Sequence, residues 1–184
     1  MTENPDSIWM RVIDKYYSDN PPLKELLVLH SRLVADKALK IVDTHPELGA
    51  DRQFVEEAAM LHDIGIFLTD AEPIHCHGKY HYLCHGYLGA DLLRSEGLPR
   101  HALVAERHTG TGITLKQILE RDLPVPHRDM QPQSIEEKMV CFADKFYSKT
   151  RLTEEKTIEQ AVNSLAKFGE EGVEIFRKWC GMFL

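Results

Sequence analysis

Ten of the 184 residues are histidine, and four of them (His75, His77, His81 and His85) fall within eleven positions. Neutral imidazole binds metal ions and carries protons near neutral pH, so this density calls for a chemical reading. Asp144 is the most isolated acid: it interrupts the apolar run Val140-Cys141-Phe142-Ala143 and precedes Lys145. A carboxylate is costly to bury alone, so Asp144 needs a cation, either Lys145 or a metal. His62-Asp63 carries little information as a dipeptide, because chance produces one about as often as not at this composition. Its placement says more. It ends an apolar helical segment and Gly65 follows, which puts the carboxylate at the negative end of a helix dipole, where only a nearby cation makes it welcome. His30 lies on an apolar stripe, as a satisfied core residue or as a ligand, and His85 and His108 each lie on a helix near its end.

Taken together, His30, His62, Asp63, His85, His108 and Asp144 form a nitrogen-and-oxygen donor set without sulfur. It suits iron, manganese, zinc, nickel or cobalt. Six protein ligands exceed what one catalytic ion with open positions needs, and they fit two divalent ions that share a bridging carboxylate.

The elements that must position these residues read as helices. Ile8, Val12 and Tyr16 recur at a spacing of four within a first helix from about Asp6 to Tyr17. Asn20-Pro21-Pro22 opens a longer helix with proline in its first turn. Along it Leu23, Leu27, His30, Val34, Ala38 and Ile41 form one stripe, and His45-Pro46 with Gly49 close it. Asp51 can cap a shorter helix whose face carries Phe54, Ala58, Leu61 and His62. Residues 69–82 read as a loop. A helix from about Leu83 to Glu96 ends at Gly97, and its successor begins at Pro99 and presents His101, Val104, Ala105 and His108 before Thr-Gly-Thr-Gly. Residues 123–133, with three prolines, read as a second loop. Ser134 and Glu137 make a capping box for a helix whose core face is Ile135, Met139, Phe142 and Phe146. The last thirty residues are helical with a break at Gly169 and Gly172. Nothing reads as a paired strand, so the expected architecture is an all-α bundle formed by one domain over residues 1–184, its core about 22–150.

Composition narrows the partners. A net charge of −7 and the lack of any basic run argue against nucleic acid and against a membrane surface. A small anion is still compatible, because a bound metal outweighs distant surface charge. Met-Thr-Glu-Asn-Pro-Asp has neither the basic start nor the apolar stretch of a secretory signal, so a cytoplasmic protein is expected. Cys76, Cys84, Cys141 and Cys180 form no C-x-x-C pair and read as small apolar side chains. A homo-oligomer is compatible with the composition.

The sequence resembles the HD superfamily of metal-dependent phosphohydrolases. The matching stretches are His30 in Leu-His-Ser-Arg-Leu, Leu61-His62-Asp63-Ile64-Gly65 (HDIG), His85 in His-Gly-Tyr-Leu-Gly-Ala, His108 in Arg-His-Thr-Gly, and Asp144 in Phe-Ala-Asp-Lys. They cover about two-thirds of the chain, from His30 to Tyr147. The order H…HD…H…H…D resembles the dinuclear branch, which includes diadenosine-tetraphosphate hydrolases and diiron oxygenases. By this resemblance His30, His62 and Asp144 hold one ion, His85 and His108 the other, and Asp63 bridges them. His81 rivals His85, but Gly86 and Gly89-Ala90 follow His85 in the family's spacing. Two departures matter: Ile66 stands where many relatives place a lysine, and Thr-Gly-Thr-Gly after His108 replaces the Gly-Tyr-Pro of cyclic-dinucleotide phosphodiesterases, whose activity is therefore not expected.

The implied reaction is hydrolysis of a nucleotide or other small phosphate ester or anhydride, with a bridging water ionised near neutral pH as nucleophile. Asp63 and His62 would be central to catalysis. Lys79, His81, Arg107 and Lys145 are the candidate substrate contacts, with Lys116 and Arg128 as further candidates. His75 and His77 are either solvated or adjoin the substrate. The same ligands would also suit a mixed-valence diiron oxygenase, with iron the leading metal in either case, and a non-catalytic nucleotide-binding regulatory module is a third reading.

Overall fold

The computed structural model describes residues 7–152 and 154–184; the expected helix start at Asp6, the N-terminal stretch before it, and Thr153 lie outside the described residues. Their fold is all-α. In chain order the helices are α1 (Ile8–Tyr17), α2 (Pro21–Thr44), α3 (Arg52–Leu61), α4 (His85–Ser95), α5 (Pro99–Arg107), α6 (Leu115–Glu120), α7 (Ile135–Asp144), α8 (Ile158–Ala166) and α9 (Glu170–Phe183).

Local chemistry sets most boundaries. The Asn20 side chain accepts a hydrogen bond from the Leu23 amide at 3.2 Å, and prolines fill the first turn of α2, where no amide partner is needed. Asp51 caps α3 through the Phe54 amide at 3.1 Å. Ser134 and Glu137 form the expected capping box of α7, and Thr157 with Gln160 forms another at α8. Gly97 takes a left-handed φ of 75° after α4 and allows the chain to turn into Pro99.

The helices α2, α3, α5 and α7 pack on one another, α4 lies along α5, and α9 closes over α7. The α2 stripe is buried as expected, His30 included. Phe142 of α7 stacks on Phe176 at 5.1 Å and meets Phe183 at 5.3 Å, so α9 joins the core two residues from Asp144. A second, smaller cluster is formed by Ile113, Ile118, Val125 and Met130.

Four details differ from the sequence expectations. The buried face of α1 is Trp9, Val12, Ile13 and Tyr17, with Ile8 and Tyr16 only partly covered, because Tyr17 reaches inward to donate to the Ile64 carbonyl at 2.7 Å. The loop over 69–82 contains a short antiparallel pair, β1 (Asp70–Ala71) and β2 (Cys76–His77), too brief to show an alternating pattern. Helix α6, of six residues, has only one buried side chain, Ile118, and so little apolar periodicity to read. Gly169, with φ of 118°, does break the C-terminal helices, but Gly172 lies inside α9.

Candidate metal centre

Five of the six expected ligands sit at helix ends or just beyond them, and the sixth projects from the middle of α2. His62 is the C-terminal boundary of α3 with Asp63 next in the chain, His85 opens α4, His108 follows α5, and Asp144 is the last residue of α7. All six are buried, His30, His62 and Asp63 fully.

The backbone selects the tautomers. The Nδ1 of His62 lies 2.6 Å from the Ala59 carbonyl, that of His85 lies 2.6 Å from Tyr82 O, and that of His108 lies 2.8 Å from Ala105 O. A carbonyl only accepts, so each Nδ1 carries the hydrogen and donates, leaving the Nε2 lone pair for the interior. The interior is where these lone pairs gather: Nε2 of His85 and of His108 are 3.1 Å apart. Two lone pairs at that distance repel unless a cation lies between or beside them.

Asp63 is the hinge of the arrangement. Its Oδ2 lies 3.2 Å from His30 Nε2 and 3.0 Å from His62 Nε2, whereas Oδ1 lies 3.4 Å from both His85 Nε2 and His108 Nε2. Asp144 Oδ1 adds to the first group, 3.1 Å from His30 Nε2 and 3.5 Å from His62 Nε2. The donor atoms therefore form two groups, His30–His62–Asp63–Asp144 and Asp63–His85–His108, each with its atoms within 4.8 Å of one another, and Asp63 belongs to both. His62 Nε2 and Asp63 Oδ1 are buried without a hydrogen bond of good geometry. Orphaned buried donors and acceptors of this kind fit metal ions, as does the sulfur-free ligand set.

The two groups differ in charge. Burial lowers the pKa of His62, but the adjacent Asp63 and Asp144 carboxylates outweigh it and raise the value to about 9, so its Nε2 holds a proton toward them that a bound metal ion would displace. Burial lowers His85 to about 3 and lowers His108 as well, so both remain neutral imidazoles. Burial opposes ionisation of Asp63, yet His62 and Lys149 hold it well below the usual carboxylate range; Asp144 behaves likewise beside Lys145. Both carboxylates are thus ready ligands.

Lys149 is the residue that sequence reasoning missed. Its Nζ lies 2.6 Å from Asp63 Oδ2 and its side chain is 13% exposed. It follows α7 in a segment without helical periodicity, so nothing in the sequence points it inward. Tyr82 was also missed; it supplies the carbonyl that orients His85, and its ring stacks on that imidazole at 4.8 Å.

Two recesses of about 440 Å³ each open beside the ligands. One is lined by Asp144 together with Lys145, Lys149 and Lys156; the other by His85 together with His81, Arg121 and a set of apolar side chains. Tyr82, Gly110, Leu165 and Phe168 line both. Of the candidate substrate contacts, Lys145 and His81 are at these recesses. The other expected contacts lie away from these two recesses. Arg107 is held by Glu137 at 2.9 Å, Lys79 is exposed near the Tyr80 ring, Lys116 pairs with Glu120 and Arg128 with Glu106, and none of the four lines either recess. His75 and His77 are exposed and line neither.

The chain is similar in sequence and in fold to known proteins. Residues 27–149 match the family model of the HD domain. The chain is 33% identical over 133 residues to an uncharacterized protein of Methanocaldococcus jannaschii, covering 71% of each. It is 31% identical over 157 residues to a tRNA (cytidine(56)-2'-O)-methyltransferase of Picrophilus torridus, where the match covers 80% of this chain but only 41% of that protein. The chain thus spans about two-fifths of the length of that relative. The HD domain of the L. monocytogenes phosphodiesterase PgpH superposes with a TM-score of 0.56 at 19% identity, over 91% of this chain and 93% of that one. Its complex with cyclic-di-AMP superposes equally well at 18% identity, over 96% and 95%. Among the described residues no helix is long and apolar enough to cross a membrane. With two-thirds of its length matched by the family model and all six ligand positions gathered at one centre, the chain belongs to the HD domain family.

Proposed function

We propose that this chain is a metal-dependent phosphohydrolase with a dinuclear centre, acting on a nucleotide or another small phosphate ester or anhydride. One observation carries the reading: the two oxygens of Asp63 address two separate groups of imidazoles, as a bridging carboxylate requires. By this reading His30, His62 and Asp144 hold one ion, His85 and His108 the other, with iron the first expectation.

Divalent ions bound there would supply Lewis-acid stabilisation of phosphate oxygens and an ionised water as nucleophile. The protein's own residues do the rest. Backbone carbonyls fix the tautomers of His62, His85 and His108, the buried carboxylates stay ionised, and Lys145, held by Asp144 Oδ2 at 2.8 Å, places an ammonium at the edge of the centre. The HD phosphodiesterase PgpH, crystallised with cyclic-di-AMP, supports a nucleotide as the ligand class. The activity of the Picrophilus protein is not carried over, because the match covers so little of it. No feature of the site favours the oxygenase outcome.

The test is metal content of anaerobically prepared protein, paired with phosphate release from a panel of nucleotides. About two ions per chain together with phosphate release is the expected result. A protein that binds no metal under iron-replete conditions, or that binds two ions and releases phosphate from nothing in the panel, would overturn the proposal.

A further inference from the structure

The two recesses beside the metal ligands differ in chemistry. The recess at Asp144 is lined by three ammonium groups, those of Lys145, Lys149 and Lys156. Lys145 is paired with Asp144 and Lys149 with Asp63, and no carboxylate of the described residues lies within ion-pair distance of the half-buried Lys156. Three like charges around one partly enclosed space repel one another, and an anion with several oxygens relieves that repulsion. The recess at His85 is instead mainly apolar, with Leu83, Ile113, Leu123 and Leu165 in its walls and a lysine-free set of polar groups that includes His81, Gln117 and Arg121. Such a space accepts a flat organic ring and orients it with a few hydrogen bonds.

Phe168 links the two. It lines both recesses and is 65% exposed, among the most exposed large apolar side chains described. Its carbonyl is fixed by Arg121 at 2.7 Å, and Gly169 turns the chain away directly after it. An exposed aromatic ring held at the mouth of a cleft is a stacking surface for another ring.

The ligands of the proposed dinuclear centre lie between the recesses, Asp144 facing one and His85 the other. A simple phosphomonoester has one substituent on phosphorus and fills one recess only. From the opposite chemistry of the two sides we propose, resting on the phosphohydrolase reading above, that the substrate is a phosphoanhydride spanning the cleft. Its organic ring lies in the apolar recess against Phe168, and its phosphate beyond the scissile bond lies among Lys145, Lys149 and Lys156. In the step, a water oxygen bonds to the central phosphorus and the bond from that phosphorus to the anhydride oxygen breaks. The anhydride oxygen keeps the electron pair on the departing phosphate. The two protons of the water pass to the product phosphates or to solvent, and no oxidant or reductant is needed. Lys156 and Phe168 are then specificity-determining residues, and the C-terminal segment that carries them forms a wall of the substrate cleft.

The experiment uses metal-loaded full-length protein with ADP, AMP and p-nitrophenyl phosphate as substrates, and inorganic pyrophosphate as a binding probe in calorimetry. The expected kcat/KM for ADP exceeds that for AMP by about tenfold or more, as a charge-assisted contact to the second phosphate implies. Lys156→Met should shrink that ratio about tenfold and weaken pyrophosphate binding by a similar factor, while Lys156→Arg restores both. Phe168→Ala should raise KM for ADP and AMP and leave pyrophosphate binding unchanged. An ADP-to-AMP ratio near one, or a ratio and pyrophosphate affinity indifferent to Lys156→Met, overturns the proposal. If metal-loaded protein hydrolyses none of the three substrates, the hydrolase reading fails. Pyrophosphate binding then judges the lysine recess by itself, sensitivity to Lys156→Met sustaining it and indifference ending it.

Discussion

The two halves of the centre are built from the same residue types, yet they are electrostatically unlike. The half formed by His30, His62 and Asp144 has a carboxylate of its own, shares Asp63, and has Lys145 and Lys149 in contact with those acids. The half formed by His85 and His108 has two neutral imidazoles and only a share in Asp63. At similar geometry a larger donor set holds a divalent cation more tightly, and the first half has four donor groups against three, so it should bind its ion more firmly. The scaffolds differ as well. The first half hangs on α2, α3 and α7, which interlock through the main core. The second takes His108 from the end of α5 in that core, but His85 from α4, a helix held to the turn after α3 by glycine contacts.

Removing Asp63 tests the connection between the halves and should have the largest effect. Asp63→Ala takes a ligand from both groups and leaves four imidazoles facing each other around a single carboxylate. Turnover should be abolished and metal content should fall from about two ions to about one or fewer per chain. Full activity in this variant would show that no ion pair is bridged there.

The glycine contact gives the next effect in size. A Cβ added at Gly65 would lie 2.3 Å from His85 O and 2.5 Å from Gly89 N, both backbone atoms of α4. Gly89 in turn leaves no room, since its own Cβ would come within 3.0 Å of Gly65 N. Gly65→Ala must therefore push α4 outward and carry His85 with it. A loss of about 3 kcal/mol in stability is expected from overpacking, together with loss of the second ion ahead of the first. Urea melts and metal analysis of the same preparation measure both. A variant that melts like the parent and keeps both ions would mean that α4 is free to move without consequence.

These residues also show how far the sequence could be read. His30 was recognisable because the α2 stripe is long and regular, and the capping residues at Asn20, Asp51 and Ser134 fixed where helices begin. Helix ends placed His62, Asp63, His85, His108 and Asp144 near one another only in the sense that their helices share a core. The family resemblance, and not periodicity, divided them between two ions. Lys149 and Phe168 were not legible. Each acts through tertiary position from a segment of little or no periodicity, and a lysine that reaches Asp63 looks in sequence like any surface lysine. Arg107 shows the opposite case: it precedes His108 in the chain, but helical rotation turns it to Glu137.

His108→Ala addresses the halves separately. The expected outcome is about one ion retained by His30, His62, Asp63 and Asp144, with activity lost and most of the stability gain from metal preserved. His30→Ala should do more damage, because the half with the larger donor set loses an inward ligand from the middle of α2. Equal loss of metal in the two variants, by elemental analysis under matched conditions, would remove the distinction between firm and weak halves.

The smallest effect lies at the joint between α3 and α5, the helices that end in His62 and His108. His101 of α5 has Nε2 3.0 Å from Glu57 of α3, and its ring meets Phe54 at 4.9 Å. Burial lowers its pKa below 6.5; Glu57 and Asp51 oppose this and Arg100 adds to it. The sign follows directly. Below about pH 6.5 the unfolded chain takes up a proton at this position that the folded chain resists, so stability present above that pH is lost as pH falls toward the lower folded value. His101→Gln keeps a donor for Glu57 but cannot titrate. Its stability should fall less steeply than that of the parent between about pH 6.5 and 5, whatever its absolute value at neutral pH. Parallel slopes in chemical denaturation across that range would mean that His101 shares its proton equally in both states, and that the α3–α5 joint does not sense pH.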